Sequence, residues 1–128
     1  MDLYLVGIEI VANPSSLLVP VNEVGTFTCK ARCNLCTGRW IVNNSFIFRR
    51  DQLIEKGIQF LEDRWNGDEL TMILTVNASE AVNNTNISCE FDPNGDGDSV
   101  PSASATLLVI RSKYKLCKFN LPNDLNFV

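Results

Sequence analysis

Hydrophobic and polar residues alternate along most of this chain, the pattern of β-strands that bury one face. The alternation is clearest in five segments: 26–31, 39–42, 70–76, 86–91 and 105–110. Turn-forming residues lie between them, including Asn66-Gly67-Asp68 and the Asp-, Asn- and Gly-rich run 92–98. Several short strands at this spacing predict an all-β protein, a sandwich or barrel of antiparallel sheets.

Length and composition narrow the possible functions. The 128 residues suffice for one hydrophobic core, and the net charge is −4. An acidic chain lacks the basic face that phosphate contacts need, so we expect no nucleic acid partner. Histidine is absent, which removes the commonest general base and the commonest metal ligand. The sequence also has no nucleophile elbow and no phosphate-binding glycine loop, so we expect no enzyme activity.

The alternation stops near residue 111. We therefore expect one domain over residues 1–111 and a C-terminal tail or linker over residues 112–128, which is rich in Lys and Asn. No apolar run reaches the length of a membrane-spanning helix, so we expect no membrane anchor within this chain. The first twelve residues include Asp2 and Glu9 and do not fit a signal peptide.

Four tripeptides fit the N-glycosylation pattern N-x-[ST], beginning at Asn43, Asn77, Asn83 and Asn86. The chain also has five cysteines, more than a small cytosolic domain usually needs. Together these features predict a disulfide-bonded glycoprotein that is secreted or forms part of a cell-surface ectodomain.

One set of residues resembles the immunoglobulin superfamily, over about residues 4 to 110. The residues are Gly25-x-Phe27-x-Cys29, Trp40, Leu74-x-Val76, Cys89 and Ala105-x-Leu107-x-Val109. The resemblance implies a sandwich of two antiparallel sheets, of the variable-like or intermediate set. It places Cys29 on strand B, Trp40 on strand C and Cys89 on strand F, with a Cys29–Cys89 bridge between the sheets. The core implied by this reading comprises Phe27, Trp40, Leu74, Ile87 and Leu107. Ile87 stands where the family's corner tyrosine is expected.

The other cysteines leave several alternatives open. Cys33 and Cys36 would pair with each other, or one of them would pair with Cys117 in the tail. A free Cys117 would instead allow a disulfide-linked homodimer. The spacing C-x3-C-x2-C from Cys29 also occurs in enzymes that hold an iron–sulfur cluster, and zinc is a related alternative. Nothing here would build the large barrel of those enzymes, so we expect no cluster and no other cofactor.

The run from Asp92 to Asp98 matches the first half of a calcium loop, D-x-N-x-D-G. The pattern then breaks, because Ala103 occupies the position of the bidentate glutamate. We expect an ordinary hairpin loop and no metal site.

These observations predict an extracellular domain that binds a protein ligand or counter-receptor, as part of a receptor, an adhesion protein or a secreted immune-type molecule. Recognition on such sandwiches uses the loops at one end or a sheet face. The candidate contact residues lie in the B–C and F–G loops: Asn34, Leu35, Asp92, Asn94, Asp96 and Asp98. Asn77, Asn83 and Asn86 should lie at the opposite end. The alternative is a structural spacer module with no ligand of its own.

Overall fold

The fold was analysed in a computed structural model, which describes residues 7–47, 57–93, 97–111 and 126–127. The strands are β1 (Glu9–Ala12), β2 (Leu17–Pro20), β3 (Val24–Arg32), β4 (Cys36–Val42), β5 (Ser45–Phe46), β6 (Ile58–Asn66), β7 (Glu69–Asn77), β8 (Thr85–Pro93), β9 (Val100–Pro101), β10 (Ala105–Ile110) and β11 (Asn126–Phe127). A short 3-10 turn spans Glu80–Val82. The predicted all-β class is confirmed.

The strands form two sheets that pack face to face. One has the order β1-β3-β7-β6, and the other has the order β11-β2-β10-β8-β4-β5, with β9 beside β8. Most neighbours are antiparallel, but β2 runs parallel to β10 and β11 runs parallel to β2. The predicted sandwich is therefore confirmed, and its parallel pairs are confined to one side of the second sheet.

The inward faces of both sheets make one core. Strands β3 and β7 pair from Val24–Asn77 to Arg32–Glu69 without a break, and their buried residues alternate as a two-residue period requires. The five side chains that the resemblance assigned to the core are at most 3% exposed: Phe27, Trp40, Leu74, Ile87 and Leu107. Met72, two residues before Leu74 on the same face of β7, is fully buried.

The connection from β7 to β8 is held without the family's corner tyrosine. The Thr85 hydroxyl, which is buried, donates to the carbonyl of Val82. The side-chain oxygen of Asn83 accepts a hydrogen bond from the Val109 amide at 2.8 Å. The first bond closes the corner between the 3-10 turn and β8, and the second joins the corner to β10. Together they supply the restraint that a tyrosine hydroxyl provides in other members of the family.

The chain returns to the domain after β10. Asn126 and Phe127 pair with Leu17 and Leu18, so the end of the predicted tail adds a short strand to the sheet. The boundary near residue 111 itself stays a prediction.

Candidate recognition surface

The sandwich has two distinct ends. At one, Arg32 lies opposite Glu69 and Cys36 lies opposite Pro93, which brings together the B–C loop, the β6–β7 turn and the F–G loop. We call this the loop end. At the other, Val24 lies opposite Asn77. The four predicted glycosylation sites lie there and are exposed: Asn43, Asn77, Asn83 and Asn86. We call it the sequon end.

Two disulfides lie within the described residues. Cys29 and Cys89, 60 residues apart, join the two sheets with a Cα–Cα distance of 6.6 Å, as the resemblance implied. Cys33 and Cys36 pair with each other across the B–C loop, with a Cα–Cα distance of 5.8 Å. This pairing selects one of the alternatives left open by the sequence. It also leaves no thiolate at Cys29, Cys33 or Cys36 to bind a metal. Cys117 lies outside the described residues.

The Cys33–Cys36 bridge shapes the B–C loop. Both cysteines are buried, while Asn34 and Leu35 between them are exposed. Leu35 is 72% exposed and has a φ of 57°, a left-handed conformation that few residues other than glycine adopt. The Cys33 amide donates to the Asp68 carbonyl at 2.9 Å, which ties the loop to the β6–β7 turn. The disulfide and this hydrogen bond thus fix the tip of the loop, and the Leu35 side chain is exposed to solvent.

The F–G loop contributes acidic groups to the same end. The Ser99 hydroxyl donates to the Asp92 carboxylate at 3.2 Å, and Asp98 is exposed. Asn94 and Asp96 lie outside the described residues. Within 7–47, 57–93, 97–111 and 126–127, no three His, Cys, Asp or Glu side chains are grouped as metal ligands. The expectation of an ordinary hairpin loop over residues 92–98 stays a prediction.

Among the described residues, carboxylates outnumber cations at the loop end. The Arg32 guanidinium lies 3.4 Å from Glu9 and 3.8 Å from both Asp68 and Glu69. One positive charge is shared by three negative ones, and Asp98 adds a further acid. The net field at this end is negative, which favours a basic partner.

Sequence reasoning missed Trp65. It lies at the end of β6, one residue before the β6–β7 turn, and is 47% exposed. Two residues before it, Asp63 lines a cleft of about 390 Å³ between the two sheets, together with Leu61 and Glu62 on one side and residues 37–40 and Ile47 on the other. Burial in this region raises the pKa of Asp63. The signal available in the sequence was an aromatic residue directly before Asn66-Gly67, where a turn exposes its neighbours.

No protein-family model matches this sequence, and comparison with curated proteins finds no match. Solved structures do match. The Ig1-2 module of the Drosophila receptor protein tyrosine phosphatase DLAR is 21% identical, with a TM-score of 0.63 over 83% of this chain and 50% of that one. This chain thus spans half of that module.

Two further structures match at similar levels. Dpr2 Ig1-Ig2, solved in complex with DIP-Theta Ig1-Ig3, gives 16% identity and a TM-score of 0.60 over 81% of this chain and 32% of that one. Titin domain I10 is 18% identical, with a TM-score of 0.54 over 81% of this chain and 99% of that one. Among the described residues, no helix has the length and apolar character to cross a membrane. The topology, the inter-sheet disulfide and these matches lead to one conclusion: the chain has the immunoglobulin fold.

Proposed function

We propose that this chain is an extracellular recognition domain that binds another protein through its loop end. The observation that carries the proposal is Leu35, a large apolar side chain that is 72% exposed in a loop closed by the Cys33–Cys36 disulfide. A closed loop loses little conformational entropy on binding, so its contacts are converted efficiently into affinity. A left-handed φ at a leucine has a conformational cost, and such strain is concentrated at functional sites.

Two features support an extracellular location. Disulfides persist in oxidising compartments, and two pair within the described residues. The four glycosylation tripeptides have exposed asparagines at the end away from Leu35. Carbohydrate at that end would leave the loop end accessible.

The structural matches are compatible with this role. One is a module of a receptor and another was solved in a protein–protein complex. Titin matches too, so the fold by itself does not assign a function. The proposal includes a protein ligand or counter-receptor and no catalytic activity, since the loop end offers an apolar tip and carboxylates without histidine.

The test is binding of the tetramerised, secreted chain to a panel of cell-surface and secreted ectodomains. We expect a partner whose binding is lost with Leu35→Ser and retained with Val24→Ser. Val24 is the matched control, because it is 39% exposed and lies at the sequon end. A partner lost with Val24→Ser and retained with Leu35→Ser would contradict the proposed surface.

A structural spacer is the second candidate, and one observation favours it. Glu9 of β1 lies at the loop end, opposite Arg32, whereas Ile110 of β10 lies at the sequon end, opposite Pro20. This head-to-tail path suits modules joined in series. A spacer would bind no panel member in a manner that depends on Leu35.

An intermolecular disulfide through Cys117 would make the protein a covalent homodimer, whichever of the two functions it has. Four of the five cysteines pair within the domain, which leaves Cys117 as the odd thiol. A dimer on a non-reducing gel that disappears with Cys117→Ser would support this. A monomer after air oxidation would contradict it.

A further inference from the structure

We propose that Leu35 and Trp65 form one apolar surface with two anchors, and that it binds a different protein with an apolar pocket and a basic rim. This inference rests on the proposed function, because it takes the loop end as the binding end. It adds a second anchor on the other sheet and the chemistry of the partner.

The strands that line the cleft lead from it to Leu35 and Trp65 at the loop end. Thr37 and Asp63 line its opposite walls, on β4 and β6. Strand β4 begins at the loop end and β6 ends there, so the two run in opposite directions. Leu35 lies two residues from Thr37 in the direction of the loop end. Trp65 lies two residues from Asp63 in the same direction. The two exposed residues thus lie beyond the same end of this cleft, one next to each wall.

The strand register agrees with this placement. Trp65 lies opposite Leu70, and Leu70 lies opposite Ala31. Trp65 is therefore two strand spacings, or about 10 Å, from the strand that leads into the B–C loop. A hydrogen bond from Cys33 to Asp68 closes the gap between that loop and the turn after Trp65. One partner of ordinary size can cover both anchors at once.

Residue type and exposure make this pair suited to recognition. The large hydrophobic residues that stand out as exposed in the described part are Val11, Val24, Leu35 and Trp65. Leu35 is the most exposed of them, and Trp65 is the only aromatic residue. Tryptophan is enriched among the residues that dominate binding energy, since it buries a large area and has few rotatable bonds.

The surrounding charges indicate the partner. Asp68 and Glu69 follow Trp65 within four residues, and Asp98 lies at the same end. Arg32 offsets part of this charge, and Arg64 beside Trp65 is paired with Glu62 at 2.8 Å. A basic rim on the partner would be attracted, whereas a second copy docked by two-fold symmetry would set these acids against one another. The surface therefore favours a different protein over self-association.

The experiment is a selection for binders from a displayed library of small single-domain proteins whose loops are unbiased in charge. The target is the secreted, folded chain. Independent binders are then measured against the wild type and against Leu35→Ser, Trp65→Ser and the control Val24→Ser. We expect each of the first two variants to weaken most binders about thirtyfold, as hot-spot residues do, and the control to have no effect. Binder loops should carry net positive charge, with association rates that fall as salt rises.

The possible results separate this inference from the proposed function. Binders that depend on Leu35 but not on Trp65 would overturn the second anchor and leave the loop end standing. Binders that depend on neither residue would overturn both proposals. Loops with neutral or negative charge would overturn the basic rim. Sedimentation that shows a dimer of the wild type, lost with Trp65→Ser, would assign the surface to a second copy instead.

Discussion

Asn43 and Asn86 hold each other in place across the sequon end. The amide of Asn86 donates to the side-chain oxygen of Asn43 at 2.8 Å, and the amide of Asn43 donates to the carbonyl of Asn86 at 2.8 Å. Asn43 also has a φ of 49°, which asparagine tolerates better than most residues. This predicted glycosylation site thus also serves the fold.

Asn43→Gln should therefore destabilise the protein even without carbohydrate. We expect a loss of about 1 kcal/mol in the free energy of unfolding, because the side-chain hydrogen bond and the favoured turn residue are both lost. Ser45→Ala is the matched control, since it removes the same glycosylation tripeptide and leaves Asn43 intact; its effect should stay within about 0.5 kcal/mol. Urea unfolding of the unglycosylated proteins measures both. Equal losses would contradict the structural role.

Gly38 is required by the packing between the sheets. A β-carbon at this position would collide with the Met72 sulfur and lie 3.1 Å from the ring of Phe91. Because Met72 is fully buried, we expect Gly38→Ala to cost about 1–3 kcal/mol through overpacking. In a double-mutant cycle measured by urea unfolding, adding Met72→Ala should cost less in the Gly38→Ala background than in the wild type. Additive costs would exclude the contact as the cause.

The two disulfides should contribute unequally to stability. In the chain-entropy model, the Cys29–Cys89 loop of 60 residues accounts for about 4 kcal/mol, and the Cys33–Cys36 loop accounts for about 2 kcal/mol. Thermal unfolding of Cys29→Ala/Cys89→Ala and of Cys33→Ser/Cys36→Ser compares them. The second variant should stay folded and lose binding at the loop end. A larger loss of stability in the second variant would show that the Cys33–Cys36 bridge contributes more to the stability of the core than the inter-sheet bridge does.

Arg39 joins β4 to its neighbours on the outer face of the second sheet. It pairs with Glu90 at 2.8 Å and lies 4.5 Å from the centroid of the Phe46 ring. We expect Arg39→Ala to lower the free energy of unfolding by about 1 kcal/mol, because both contacts are partly shielded from water. Arg64→Ala is the control. The Arg64–Glu62 pair is equally short but more exposed, so its loss should cost less than the loss of Arg39. Similar losses from chemical denaturation would contradict this ranking.

Asp63 should make stability fall as pH rises. Burial raises its pKa, so the folded state favours the protonated carboxyl, and this contribution is lost as pH rises through the folded-state pKa. Asp63→Asn should therefore be more stable than the wild type at pH 7, by up to about 0.5 kcal/mol for a side chain that remains accessible, and the difference should shrink below about pH 4.

Glu62 should give stability the opposite dependence on pH and therefore serves as a comparison. Its hydrogen bond with Arg64 lowers its pKa, so its contribution is present at neutral pH and is lost as pH falls through the folded-state pKa. Asp63→Asn and Glu62→Gln should thus shift the pH profile of urea unfolding in opposite directions. Profiles that move together would contradict the assignment at Asp63.

Part of the candidate site could be read from the sequence. The placement of Leu35 and Asp98 at one end, and of Asn77, Asn83 and Asn86 at the other, follows from strand order in the implied fold. Trp65 could not be found this way, because its exposure depends on the opposite sheet. The alternation puts it in phase with the half-buried Leu61, yet no strand among the described residues of the other sheet covers it. The local hydrophobic pattern predicts which face of the sheet a side chain points to. It does not predict whether other residues cover that face.

The sequence determined five of the strand segments (β3, β4, β7, β8 and β10) and their inward side chains, and through the resemblance the Cys29–Cys89 bridge between sheets. A two-residue period decides which face each side chain takes, and the resemblance supplied the order of the strands. Only the tertiary structure decided the parallel pairing of β2 with β10, the return of β11 and the choice of Cys36 as partner for Cys33. The strand pairings depend on which distant segments meet in space, and the Cys33–Cys36 bridge depends on the conformation that the loop between β3 and β4 adopts in the folded chain.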